Sequence, residues 1–183
     1  MSLVTSSLPA HSAPNVGFEV PLEMLAACHH RVESQCATLQ RLVAHVAKQG
    51  SDDSARVAAA AVLRYFDTAA MDHHADEEVD LFPALIESMA GSDAACIQEL
   101  VASLKADHRT LESHWQRLRP ALLKIAAGEP QPLLDGDVMP LVNLYGQHMA
   151  REEAELLPMA ARLLSDEALD CVGRAMRERR GIA

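Results

Sequence analysis

The sequence predicts an all-α protein, an up-and-down four-helix bundle with a short additional C-terminal helix. Three observations carry this reading. Hydrophobic residues make up 49% of the 183, dominated by Ala and Leu, while aromatic residues are only 3%. Strands favour aromatic and β-branched side chains, so this balance suits packed helices. Apolar residues recur mostly at spacings of three and four, the signature of one buried helical face. The periodic segments are joined by short connections, which favour antiparallel packing of consecutive helices. The length suits one domain with a substantial core rather than two.

Five helical segments follow in order. The opening "MSLVTSSLPAHSAPNVG" has neither the positive start nor the apolar core of a secretory signal. Residues 1–17 are therefore expected to form a disordered leader, residues 18–164 the bundle, and residues 165–183 the C-terminal helix. The first helix begins after Pro21 and closes at Gly50, with Leu25, Val32, Cys36, Leu39, Leu42, Val43 and Val46 on its apolar face. Ser51, Asp52 and Asp53 offer an N-cap and an acidic first turn to a second helix, which bends at Pro83 and stops at Gly91. Ser92 and Asp93 open a third helix, running towards Gly128 with a bend at Pro120. The Pro- and Gly-rich "GEPQPLLDGD" is a loop. A fourth helix spans roughly Val138 to Leu164, interrupted near Pro158. Ser165, with Asp166 and Glu167 behind it, caps a short fifth helix that ends by Gly181.

Composition excludes several roles. A net charge of −10 argues against non-specific nucleic-acid binding. The basic cluster Arg174, Arg177, Arg179 and Arg180 sits where cations favour the dipole of a last helical turn. No apolar run is long enough to span a membrane. Cys28, Cys36, Cys96 and Cys171 are scattered without a Cys-x-x-Cys pair and read as reduced, partly buried thiols. The expected setting is soluble and cytoplasmic, with no nucleic-acid or membrane partner.

The chemistry lies in a repeat. "HHADEEVDLFP" (73–83) and "HMAREEAELLP" (148–158) share the pattern His-x-Ala-x-Glu-Glu-x-acid-Leu-apolar-Pro, 75 positions apart. The first and third helices carry the same His-x-x-x-Glu spacing, in His29/Glu33 and His108/Glu112. From His29 to His73 is 44 positions and from His108 to His148 is 40, so the pattern reads as a duplicated helical hairpin. Residues four apart share a helix face, so each pair can reach one point in the core. One such pair alone is more often a surface ion pair. Four of them, one per long helix, point to a two-metal site, because buried charges in that number need a cation. The candidate ligands are His29, His73, Glu77, His108, His148, Glu152, Glu33 and Glu112. Glu33 and Glu112 are the weakest, with a supporting or exposed place as the alternative. Donors of nitrogen and oxygen without thiolates suit iron or manganese better than closed structural zinc, though manganese and zinc stay open as occupants.

Neighbouring residues are separated by the repeat itself. His148 aligns with His73, and Met149 with His74, so His73 is taken as the inward residue; helix neighbours point about 100° apart. His29 is preferred to His30 because it aligns with His108. Glu78 and Glu153 stand one step past the inward carboxylates and read as supporting or solvated. His11, His45 and His114 have no counterpart and are assigned to surface or packing. Tyr145, three residues before His148, is read as core packing that could also approach the site.

The pattern His29, His73-x-x-x-Glu77, His108, His148-x-x-x-Glu152, with "LFP" and "LLP" after the second and fourth motifs, resembles the hemerythrin-like HHE cation-binding domains over about residues 18–164. The resemblance implies a non-haem di-iron centre with Glu77 and Glu152 as bridges and the four histidines as terminal ligands. The sequence departs from the oxygen-carrying members. They place a further histidine where Glu112 stands, and an aspartate where Glu152 stands. A carboxylate ligand at Glu112 would add negative charge and favour the ferric state, which points away from reversible oxygen carriage. Three readings follow: a di-iron protein that binds or reduces O2, peroxide or NO; a redox or oxygen-sensing or iron-handling module with the fifth helix as transmitter; and a bundle whose metal only stabilises the fold.

Overall fold

The computed structural model describes residues 17–88 and 94–182. Among these there is no strand, as the all-α expectation requires. The leader, apart from Gly17, the stop at Gly91 and the cap at Ser92 and Asp93 lie outside the described residues. The first long rod is α1 (Pro21–Gln49). The second is segmented: α2 (Asp53–Phe66), α3 (Ala69–Ala75), a π-helical stretch π1 (Asp76–Leu81) and α4 (Phe82–Glu87). The third is α5 (Ala94–Ala126). The fourth comprises α6 (Asp135–Arg151), a π-helical stretch π2 (Glu152–Leu156) and α7 (Leu157–Leu163). The last helix is α8 (Asp166–Arg179). Helix α1 packs on α2 and α6, and α5 packs on the same two.

Local chemistry accounts for the boundaries. The Asp52 side chain accepts the Ala55 N–H at 2.9 Å and starts α2, and Ser165 accepts the Ala168 N–H at 3.2 Å and starts α8. Helix α6 opens at Asp135, three residues before the expected Val138, because Asp137 reaches back to the Leu134 N–H at 3.1 Å. Pro120 lies inside a continuous α5.

Pro83 and Pro158 were expected to bend or interrupt their helices. Each instead follows a widened turn. The Phe82 N–H bonds Glu77 O, and the Leu157 N–H bonds Glu152 O, five residues back instead of four. A proline has no N–H and crowds the carbonyl four residues before it, so the ladder slips by one immediately ahead of each. The slip falls on the two carboxylate motifs.

The core is split in two. One cluster holds Val32, Leu39, Phe66, Leu111, Trp115, Leu122, Leu141 and Tyr145. The other holds Leu25, Phe82, Leu85, Ile97, Leu104, Leu156, Val172 and Met176. Each fully buried large side chain contributes roughly 1.5–3 kcal/mol. His29, His73 and His108 fall, in sequence, between the residues of one cluster and those of the other, and His148 stands one residue before Met149, the last first-cluster residue of its rod. Helix α8 closes the second cluster, and its close seat requires Gly173, where a Cβ would collide with the Phe18 carbonyl oxygen.

Candidate metal centre

Six of the eight predicted ligands converge in the polar layer between the two apolar clusters. His29, His73, Glu77, His108, His148 and Glu152 are at most 2% exposed. They form two overlapping sets, His29, His73, Glu77 and Glu152, and His108, His148, Glu77 and Glu152, with the donor atoms of each set within 4.8 Å of one another. Both carboxylates belong to both sets. His29 Nε2 lies 3.2 Å from Glu152 Oε2, and His148 Nε2 3.0 Å from Glu152 Oε1. His108 Nε2 lies 3.3 Å from Glu77 Oε2, and His73 Nε2 3.6 Å from Glu77 Oε1.

Glu33 and Glu112 are not brought in. Glu33 is 63% exposed and faces His30 Nδ1 at 3.3 Å, and Glu112 is exposed at the rim of a cavity. The reason is rotational. On the first and third rods the buried stripe passes through Val32 and Leu111, three residues after the histidine, and a residue one step further turns about 100° away. On the second and fourth rods the stripe passes through Glu77 and Glu152 themselves.

The repeat extends to the residues behind the ligands. His108 Nδ1 is 2.8 Å from Glu78 Oε1, and His29 Nδ1 is 2.9 Å from Glu153 Oε1. Thus the second rod steadies a histidine of the third, and the fourth rod one of the first. Glu78 is fixed further by both terminal nitrogens of Arg109, at 2.9 and 2.8 Å. His148 Nδ1 is 3.4 Å from Asp107, which Arg151 also holds. Asp107 escaped the sequence reading. Its counterpart across the repeat is Cys28, and His73 Nδ1 is buried with no hydrogen-bond partner among the described residues. The two halves therefore differ behind their second histidines.

These contacts test whether a cation fits. A neutral imidazole carries one N–H, and carboxylates at Nδ1 of His29, His108 and His148 draw the proton there, leaving Nε2 as a bare lone pair. His108 Nε2 and His148 Nε2 then face each other at 3.0 Å. Two lone pairs at that distance repel unless a cation lies between them and the carboxylates. All four oxygens of Glu77 and Glu152, together with His29 Nε2, are buried with no hydrogen-bond partner among the described residues. Such a set is costly for protein alone and suited to a metal.

Electrostatics agree. Burial pushes the His73 imidazole down to about 3, and burial followed by His148 lowers His108, so both stay neutral. His29 is the exception: burial opposes the charged form, but Glu152 and Glu153 outweigh it and raise the ring, so a cation there would displace a proton. Burial and Glu152 drive Glu77 well above the usual carboxylate range, whereas His148 and His29 overcome burial at Glu152 and hold it low. Two adjacent buried carboxylates cannot both ionise without countercharge, and a bound cation supplies it.

Three further features complete the surroundings, two of them misread from the sequence. His74, assigned outward, stacks its ring on His108 with centroids 4.0 Å apart and planes inclined by 13°. Tyr145 packs against Phe66 in the core, as expected, and also forms part of a cavity wall. Arg179 and Arg180 do more than favour a dipole. They clamp the fully buried Asp76 beside Glu77; Arg180 reaches its Oδ2 at 2.6 Å, and Arg179 pairs with both Asp76 and Asp80. Three successive acidic residues thus serve three partners, with Asp76 on α8, Glu77 in the polar layer and Glu78 on α5.

Comparison with known proteins agrees with this geometry. The chain is 31% identical over 162 residues to an uncharacterized protein of Haemophilus influenzae, covering 88% of this chain and 91% of that one. Residues 20–160 match the hemerythrin HHE cation binding domain, a span that takes in all six converging residues and both widened turns. The chain belongs to the hemerythrin HHE cation-binding family.

Proposed function

We propose that this protein is a non-haem di-iron protein that binds or reduces a small oxidant such as O2, peroxide or NO. The supporting observation is the pair of sets that share Glu77 and Glu152 and turn bare Nε2 atoms inward. In this reading Glu77 and Glu152 would be shared by the two ions, His29 and His73 would help hold one, and His108 and His148 the other. Glu33 and Glu112 take no part. Iron held by imidazole and carboxylate supplies one-electron chemistry towards small oxidants. The protein's own share is positional. Glu78, Glu153 and Asp107 retain the Nδ1 protons and so orient three rings. The apolar clusters on either side of the layer keep bulk water away. We infer the up-and-down order of the rods from their short connections, and a cytoplasmic setting from the free thiols Cys28, Cys36, Cys96 and Cys171. No helix among the described residues is long and apolar enough to cross a membrane.

The test is metal content and the optical spectrum of protein purified in air, before and after anaerobic reduction. The expectation is about two irons per chain, with ferric absorption that bleaches on reduction and returns with O2 or peroxide. Zinc alone, or no metal after iron reconstitution, would overturn the proposal.

The clamp of Arg179 and Arg180 on Asp76 favours a second reading, redox sensing, because it ties α8 to the residue preceding Glu77. A change in oxidation state that shifts Glu77 would then loosen or tighten α8. Hydrogen exchange across residues 165–182 should differ between reduced and oxidised protein, and identical protection would exclude this reading.

A further inference from the structure

His74 breaks the two-fold repeat. Its counterpart, Met149, is an ordinary buried member of the first apolar cluster, whereas His74 brings an imidazole to the edge of the polar layer. A ring nitrogen of His74 lies within 4.8 Å of donor atoms of both His108 and His148, so proximity alone would make it a third imidazole ligand. Ring geometry argues otherwise. The donor lone pair of an imidazole lies in the ring plane, so two rings that share one ion must have planes that meet at that ion. The His74 and His108 rings are stacked and nearly parallel, and their planes meet far outside the site. The His108 and His148 planes, inclined by 66°, satisfy the requirement.

What His74 does have is a buried Nε2 with no hydrogen-bond partner among the described residues. Its ring also forms part of the wall of a cavity of about 300 Å³ between the second rod and α5. His108 and Tyr145 stand in the same wall, and Asp67, Glu112 and Gln116 are among the other residues around the cavity. His74 thus separates a space large enough for a small molecule from the polar layer, beside the His108/His148 half-site. Nothing comparable can occur at Met149, whose thioether donates no hydrogen bond.

Resting on the di-iron reading, we propose that the cavity is the entry path for the exogenous ligand and that His74, without binding metal, donates a hydrogen bond from Nε2 to that ligand at the His108/His148 position. The ligand class is a small acceptor, diatomic or linear, neutral or anionic. The two half-sites are then functionally unequal, one served by a hydrogen-bond donor and the other walled by a thioether.

The experiment compares iron content and azide binding in wild type, His74→Met and His74→Gln, each oxidised and reconstituted with iron. Azide is the probe because it is small, linear and a hydrogen-bond acceptor. His74→Met installs the residue found at the related position, and His74→Gln restores a donor. The expected result is unchanged iron content in both variants, azide affinity roughly tenfold weaker in His74→Met, and partial recovery in His74→Gln. Loss of iron in His74→Met would make His74 a ligand and overturn the proposal. Equal azide affinity and an unshifted azide absorption band in wild type and His74→Met would overturn it as well. Failure of the wild type itself to hold iron is a separate outcome; it would sink the di-iron reading, and this proposal with it.

Discussion

Glu78 and Glu153 occupy the same place in the repeat, so truncating each to Ala asks how much the environment of a supporting carboxylate matters. Both accept a hydrogen bond from the Nδ1 of a buried histidine, at 2.8 Å from His108 and 2.9 Å from His29. Removing such a partner typically weakens metal binding 10–100-fold, about 1.4–2.7 kcal/mol. Exposure decides where in that range each should fall. Glu153 is 51% exposed, so water can replace its carboxylate, and Glu153→Ala should lie near or below tenfold. Glu78 is 18% exposed and is held by Arg109. At Glu78 burial opposes ionisation, but Arg109 and His108 outweigh it and keep the carboxyl below its ordinary range. Glu78→Ala therefore removes a committed anion from a place where water is a poor substitute, and should approach a hundredfold. Glu78→Gln, which keeps an acceptor and loses the charge, should fall between. The assay is competition with a chelator of known affinity under anaerobic conditions, with thermal unfolding of the metal-free proteins as a check on folding. A loss in Glu153→Ala equal to or larger than that in Glu78→Ala would refute the exposure argument. No change in either would refute the orienting role of both carboxylates.

Two other perturbations follow from ion pairs outside the ligand set. Truncating Arg179 and Arg180 together strands Asp76, a fully buried carboxylate, and should destabilise the protein by about 3–5 kcal/mol; adding Asp76→Asn should recover much of that, and a loss below about 1 kcal/mol in denaturant unfolding would show the clamp to be idle. Asp67 accepts from Arg119 at 2.9 Å and from Trp115 Nε1 at 3.0 Å, and Arg119, then Trp115, hold it below the usual carboxylate range against some burial. A carboxyl with a folded-state value below its unfolded value of about 3.9 adds stability above that value and loses it as pH falls through the folded one. Asp67→Asn should therefore cost about 1 kcal/mol at neutral pH. The difference from wild type should shrink towards zero in acid, and a gap that stays constant down to pH 2 would contradict this.

The residues differ in how far the sequence alone could reveal them. The six converging residues were legible because each sits at a fixed offset in a duplicated hairpin; the His-x-x-x-Glu spacing alone did not suffice, since Glu33 and Glu112 share it and turn outward. The exclusion of Glu33 and Glu112 was partly legible too. Val32 had already been placed on the buried face, and its neighbour must then turn away. The prolines after "LF" and "LL" announced an irregularity, but their effect, a ladder slipped by one residue, depends on which carbonyl the preceding N–H can reach. His74 was misassigned because the repeat compares positions along the chain, whereas the ring reaches sideways into the space between two rods.

By itself the sequence determined the helical class and eight candidate ligands, among them the six side chains that meet in the core. Periodicity and repeat are properties of one chain in order, and these conclusions need nothing more. Only the tertiary structure decided what stands behind those side chains: Asp107 against His148, Glu78 against His108 across a rod boundary, and Arg179 and Arg180 against Asp76. Each of these pairs joins residues 30 to 104 positions apart with no shared spacing. Their meeting is set by how the rods rotate as they pack, and no local pattern encodes that rotation.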